Sequence, residues 1–381
     1  MQTIVYQHVF TCELAGRKTI LKNPLMQGKK LLSLDMFRIT RFSLVIIGSL
    51  IANFYLVSAH PPTDTLRILA IGNSFSQDAV EQYLHELAEA AGKPIVVGNM
   101  YIGGAPLSLH WENARTDKAA YSYRKIDADG AKSTEEGVSI LSALADEEWD
   151  YVSLQQASPL SGQFDSYVAP LTALHRYIDS ATAGRAKHIW HQTWAYAANS
   201  THPGFANYHN DQHEMYQAIM EASAKVQQLV SIDLLVPCGT AIQNARTSFI
   251  GDRLTRDGYH LDLQIGRFIA ACTWFEALFG QQAPVDRYRP EGVSVAQAAV
   301  ARQAAHAAVH QPFAVSGLAS EAAALPGSDH GAASTSRQSP FSFRPGRPME
   351  ILVEWYIKNT QPSAQPRFQY ACRNPMDLRP S

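Results

Sequence analysis

The chain is poor in cysteine, in net charge and in long apolar runs, and each shortage closes off a class of function. Four cysteines in 381 residues (Cys12, Cys238, Cys272 and Cys372) are too few and too scattered for a disulfide framework or a zinc module. Only Cys238 and Cys272 lie in well-patterned sequence, and their apolar surroundings predict buried free thiols. Lys and Arg number 32 against 34 Asp and Glu, a net charge of −2. That balance offers neither a basic stripe for nucleic acid nor an acidic solvating tail. The apolar run Phe42–Val57 falls short of the ~20 residues that cross a membrane. What remains is a 46% hydrophobic composition, ample for the core of a large α/β domain.

The ends of the chain differ from its middle. Met36–Arg41 is a short basic segment, Phe42–Val57 an apolar core and Val57-Ser58-Ala59 a small-residue cleavage pattern. Residues 36–59 are therefore expected to be a signal peptide. Residues 1–35 read as a non-native upstream extension, and the protein as periplasmic or secreted, or membrane-anchored if cleavage fails. From 316 to 381 the composition turns to Ala, Ser, Pro and Gly without a sustained period, which predicts a low-complexity, disordered tail. The folded domain is placed at 60–315.

Between these ends, strand-like and helix-like segments alternate. Strands are expected at Leu66–Ile71, Pro94–Met100, Trp149–Leu154, His188–His191 and Asp233–Pro237, with helices at Gln77–Ala91, Gly137–Ala145, Leu171–Ala181, Tyr208–Leu229, Leu261–Phe279 and Val293–His310. Right-handed crossovers then give a flavodoxin-like three-layer α/β/α sandwich on a mostly parallel five-stranded sheet. The period-two run Tyr121–Lys132 is expected as a β-excursion near the mouth of the site. In such sheets ligands bind beyond the C-terminal strand ends, where Ser74, Gly103, Gln156 and Gln192 fall.

Two short segments carry chemistry. Leu66-Arg67-Ile68-Leu69-Ala70-Ile71 stops at Gly72-Asn73-Ser74 and passes into a helical pattern. A serine so placed is presented at the sheet edge, although capping the helix is an ordinary job for Ser or Asn. Far downstream, Asp257-Gly258-Tyr259-His260 sets an acid and an imidazole three residues apart in a Gly-containing loop. Together they supply nucleophile, base and orienting carboxylate for acyl transfer. His209 and His213 have i,i+4 spacing, but no third ligand shares their register, so no metal and no other cofactor is expected.

These segments resemble the SGNH (GDSL-like) hydrolases. Ile71-Gly72-Asn73-Ser74-Phe75-Ser76, Ile102-Gly103-Gly104, Trp149-Asp150-Tyr151-Val152, Leu154-Gln155-Gln156-Ala157-Ser158, His191-Gln192-Thr193-Trp194-Ala195-Tyr196 and Asp257-Gly258-Tyr259-His260 are together similar to a bacterial SGNH-like family of undefined function. The resemblance runs from about residue 65 to 312. It implies Ser74 as nucleophile, His260 as general base and Asp257 as its orienter. It also implies an oxyanion hole from the Ser74 and Gly104 N–H groups. The third block usually carries an Asn in a Gly-x-Asn-Asp run, and none stands here. Related acetylesterases use a Gln at this point, which makes Gln156 the expected side-chain donor. Asn73, Gly103, Gln155, Gln192, Trp194 and Tyr196 are expected to line the substrate, the aromatics stacking on a sugar. The expected partner is a small-molecule or glycan ester, and the expected activity is a serine esterase acting on acyl, chiefly acetyl, groups. The alternatives are a non-catalytic carbohydrate-binding protein on a hydrolase fold and an acyltransferase with the same triad.

Overall fold

The computed structural model describes residues 65–318. The expectations for the upstream extension, the signal peptide and most of the C-terminal tail lie outside the described residues. Among the described residues, no helix is long and apolar enough to cross a membrane.

Strand β1, Leu66–Gly72, alternates its side chains between two cores. Ile68 and Ala70 enter one cluster and Leu69 and Ile71 the other. A strand that feeds both faces must be covered on both, and this is why its sequence is almost wholly apolar. On one face lie α1 (Ser74–Val80), α2 (Leu84–Ala90), α7 (Cys238–Arg246), α8 (Ile265–Phe279) and α9 (Val295–His310). On the other lie α3 (Leu107–Arg115), α4 (Ile140–Asp146) and α5 (Val168–Ala181). The long α6 (Gln212–Leu229) sends Met215 and Ile219 into the first cluster and Ala222 and Val226 into the second.

Among the described residues the sheet has seven strands rather than five. Its order is β4-β3-β2-β1-β5-β6-β7, with β2 Ile95–Tyr101, β5 Tyr151–Leu154, β6 Lys187–His191 and β7 Leu234–Val236 running parallel to β1. The Tyr121–Lys132 stretch is no excursion over the site. It forms an antiparallel hairpin, β3 Tyr121–Ile126 and β4 Lys132–Val138, that extends the sheet beyond β2. β4 is exposed from Lys132 to Gly137 and carries Lys132, Glu135 and Glu136, charges of the kind that guard a sheet edge.

Two further expectations are adjusted. The single helix read over Gln77–Ala91 is two, because Tyr83 adopts a left-handed conformation with φ 69°. Its hydroxyl donates to the Leu263 carbonyl at 2.8 Å and its ring meets Phe268 edge-on at 6.0 Å, so tertiary contacts override the helical period. The domain edge also runs past 316. The Ser316 N–H donates to Asn244 Oδ1 at 2.7 Å and the Leu318 N–H to Thr247 Oγ1 at 2.9 Å, which pins this stretch against α7. Cys238 and Cys272 are buried free thiols, as read from the sequence.

Candidate active site

The turn between β1 and α1 is set by sterics and by one side chain. A Cβ on Gly72 would lie 2.5 Å from Ser76 Oγ and 2.8 Å from Ser76 Cβ, so only glycine fits. Asn73, not Ser74, caps the helix: its Oδ1 accepts the Phe75 N–H at 2.9 Å. Ser74 is thereby free to stand half-exposed at the first helical position. Neither its Oγ nor its N–H has a hydrogen-bond partner among the described residues.

The acid–base loop is held as firmly. Asp257 Oδ2 lies 2.6 Å from His260 Nδ1, while its Oδ1 accepts the N–H groups of His260 at 2.8 Å and Tyr259 at 3.2 Å. Burial alone would raise the Asp257 carboxyl, but these bonds outweigh it and hold the group below the usual carboxylate range. Gly258 has φ +89°, and a Cβ there would lie 3.0 Å from Ser200 Cα, so the loop needs glycine twice over. The carboxylate fixes Nδ1 of the imidazole and leaves Nε2 without a partner among the described residues. The His260 ring lies 6.1 Å from that of Phe75, the residue after Ser74. No direct hydrogen bond joins Ser74 Oγ to His260 in this structure.

Two clamps that sequence reasoning did not assign draw the loop to the Ser74 turn. Asp78, one helical turn after Ser74 and fully buried, accepts the Leu261 N–H at 2.8 Å. It also pairs with Arg256 at 2.9 Å and Arg267 at 2.6 Å. These partners bracket the Asp257–His260 segment. The second clamp is Trp194, whose Nε1 donates to the Tyr259 carbonyl at 2.8 Å and whose ring stacks on Phe75 at 4.2 Å with only 6° between the planes. An acidic residue one turn after a candidate nucleophile is visible in sequence, but its two arginines lie some 180 residues away.

Several residues expected at the substrate prove to be framework. Gln156 accepts the Leu107 N–H at 3.0 Å and the Ala157 N–H at 2.8 Å through Oε1. Backbone N–H groups can only donate, so the amide orientation is fixed and Nε2 points to Ser166 Oγ at 2.9 Å. Its donor is spent, and Gln156 cannot serve as the oxyanion donor in this arrangement. Gln155 is likewise committed, donating to Asn73 Oδ1 at 2.9 Å and accepting from His191 Nδ1 at 2.7 Å. Asn73 completes the net by donating to the Ala105 carbonyl at 3.0 Å, which ties the Ser74 turn to the glycine loop. His191, at the end of β6, is pushed down to about 3 by complete burial and stays neutral.

The proposed sugar wall is interior. Gln192 accepts from Thr240 N–H and Oγ1 at 3.1 and 3.0 Å. Trp194 and Tyr196 are wholly buried, the Tyr196 hydroxyl bonding Ser158 Oγ at 2.8 Å and His202 at 3.2 Å. Aromatic residues in a loop usually signal a surface; here they fill the space behind the acid–base loop. His209 is taken up by Glu214, 2.7 Å away on the surface. Of the expected lining residues Gly103 alone is exposed, as is Gly104, expected in the oxyanion hole, and neither N–H has a partner among the described residues. The solvent-facing groups of the site are thus Ser74, the two glycine N–H groups, Asp257, His260 and, on the rim, His202. Burial, and then repulsion from His260, lower the His202 imidazole.

The model of the domain of unknown function DUF4886 matches residues 67–308. The chain belongs to this family. A crystal structure of a DUF4886 family protein from Bacteroides uniformis ATCC 8492 is 54% identical, covers 67% of this chain and 98% of its own, and has a TM-score of 0.66. More distant likenesses include a protein from Slackia heliotrinireducens proposed to be an SGNH hydrolase, at 22% identity, TM-score 0.40 and coverage of 56% and 100%. An acetylxylan esterase from Geobacillus stearothermophilus follows at 14% identity, TM-score 0.30 and coverage of 63% and 91%. No curated protein matches the chain.

Proposed function

We propose that this DUF4886 protein is an exported serine hydrolase that cleaves short acyl esters, acetyl esters first among them. The observation that carries the reading is the Asp257–His260 pair, with the carboxylate 2.6 Å from Nδ1, Nε2 uncommitted and the imidazole beside the residue that follows Ser74. In this reading Ser74 Oγ attacks the ester carbonyl while His260 Nε2 takes its proton. Asp257 holds the imidazole tautomer and stabilises the imidazolium. The developing oxyanion meets two backbone donors, Ser74 N–H and Gly104 N–H, rather than a side-chain amide. His260 returns its proton to the departing alkoxide. A water activated by the same imidazole then cleaves the acyl-Ser74 ester.

With Trp194 and Tyr196 buried, the aromatic pair expected to stack on a sugar gives no support to one, and a glycan ester enters only as one class of alcohol to be assayed. A site whose acid, Asp257, is exposed suits an acyl group that protrudes from a larger molecule. Export rests on the sequence pattern of residues 36–59. Turnover of p-nitrophenyl acetate, and of a panel of acetylated glycans, by wild type and Ser74→Ala is the test. Activity lost with Ser74→Ala supports the reading. Activity retained without the hydroxyl rejects it.

The uncommitted Ser74 Oγ also supports a second reading, a binding protein that kept the turn without the chemistry. Saturable binding of an acetylated ligand by wild type and Ser74→Ala alike, with no turnover by either, would favour it.

A further inference from the structure

Among the described residues, two clusters of ligand-type side chains lie away from the candidate active site, and their geometry separates them. In the first, His175 and Asp179 on α5 meet His188 on β6. Asp179 is spent on both imidazoles, at 2.7 and 3.2 Å, and His175 Nε2 is bonded to the Ser231 carbonyl at 2.8 Å. The two rings stack at 3.7 Å with 17° between their planes. An imidazole binds a metal in its own plane, and lone pairs in near-parallel stacked planes cannot converge on one ion.

The second cluster joins Glu276 of α8 to His306 and His310 of α9. One imidazole nitrogen of each histidine and a carboxylate oxygen of the glutamate all lie within 4.8 Å of one another. His306 and His310 are one helical turn apart, so both project from the same face of α9. Their rings are inclined by 52° at 4.2 Å, and their planes therefore intersect. Glu276 is buried at 3% exposure. Its Oε1 lies 2.6 Å from His306 Nδ1 and 4.0 Å from His310 Nδ1. Its Oε2, equally buried, has no hydrogen-bond partner among the described residues. A carboxylate oxygen taken out of water with nothing to accept from is costly, and a cation held by the same carboxylate would offset the buried charge.

We propose that Glu276, His306 and His310 form a site for a divalent transition-metal ion, with Zn²⁺ the best-suited occupant, that clips α9 to α8. Imidazole and carboxylate are borderline ligands that suit such ions better than Ca²⁺ or Mg²⁺. Metal bonds of ~2.0–2.2 Å set tetrahedral ligand atoms about 3.3 Å apart, between the 2.6 and 4.0 Å seen here. The histidines can make that adjustment, since their side chains are 44% and 62% exposed. His310 Nδ1 would give up its bond to the His306 carbonyl if it is the ligating atom. Solvent would complete the shell. The ligand pair His306-x-x-x-His310 is legible in sequence; its buried third member, 30 residues upstream on another helix, is not. This site is independent of the hydrolase reading.

The test is calorimetric titration of ZnCl₂ into the untagged, chelator-stripped full-length protein, with His306→Ala and the more exposed His310→Ala as variants whose folding is checked by circular dichroism; His310, 4.0 Å from Glu276, can be removed without taking away the carboxylate's 2.6 Å partner. One equivalent is expected to bind the wild type, with affinity weakened at least tenfold in each variant. Saturating Zn²⁺ at 100 times its Kd should raise the wild-type Tm by about 5–10 °C, and Co²⁺ should give a visible d–d band lost in both variants. No binding by the wild type at 0.1 mM Zn²⁺, on the order of what a weak surface site would still show, overturns the proposal. Binding of equal strength in all three proteins overturns it too, since the ion would then sit elsewhere.

Discussion

Asp78 Oδ2 accepts the backbone N–H of Leu261 at 2.8 Å, linking the helix that starts at Ser74 to the residue after His260. Because Asp78 also holds Arg256 and Arg267, one fully buried carboxylate anchors the acid–base loop on both sides. Removing one partner of a buried pair leaves uncompensated charge, at a cost of ~3–5 kcal/mol. Asp78→Asn should therefore lower the urea midpoint strongly. It should also cut kcat with little change in KM, because it displaces His260 without touching substrate. A variant as stable and active as wild type would show that the loop is held by other contacts.

Trp194 offers a gentler perturbation of the same alignment. Trp194→Phe keeps the stack on Phe75 but deletes the 2.8 Å bond to the Tyr259 carbonyl. Stability should fall by about 1 kcal/mol, the usual net worth of such a bond. Turnover should fall further than that loss of folded protein explains. If kcat is unchanged, Trp194 is packing alone.

Gln156 separates framework from chemistry. As an oxyanion donor its truncation would cost ~10²–10³ in turnover. With both ends of its amide occupied, Gln156→Ala should instead strand the N–H groups of Leu107 and Ala157 and destabilise the fold by ~1–3 kcal/mol. The kcat of the folded fraction should change only modestly. A hundredfold drop in kcat at unchanged stability would restore the donor role.

The pH dependence of stability follows from the buried histidines. Burial pushes His191 down to about 3 and His110 to about 4. Both are neutral in the folded chain, whereas in the unfolded chain they take up a proton below ~6.5. The unfolded state thus binds more protons from pH 6.5 downward, and stability falls as pH falls, by up to ~1.4 kcal/mol per pH unit for each group. Urea midpoints should drop between pH 7 and pH 5, above the range in which Asp257 takes up its proton. His191→Asn, whose amide can still donate to Gln155, should flatten that slope. A flat wild-type profile would contradict the burial argument.

Much of this was legible because it depends on local sequence. The all-apolar β1, the Gly72-Asn73-Ser74 turn and the Asp257–His260 spacing are properties of a few adjacent residues, and they appear where the sequence placed them. The misreadings share one cause, since each turned on a partner distant in the chain. Gln155 and Gln156 look like uncommitted donors until His191, Asn73, Leu107 and Ser166 are brought to them. Trp194 and Tyr196 look like a sugar platform until the acid–base loop folds over them. The Tyr121–Ile126 alternation marked a strand correctly, but its position at the sheet edge depends on pairing with β2. Asp78 is one more acid in a helix until Arg256 and Arg267 arrive.

The central claim is that Ser74 is a nucleophile activated by His260. Intact-mass and peptide mapping after incubation with a fluorophosphonate, which favours an activated serine, tests it most directly. One equivalent of label on the peptide carrying Ser74, absent in Ser74→Ala and strongly slowed in His260→Ala, is the predicted result. A folded wild-type protein that takes no label, or takes it on another residue, would contradict the account.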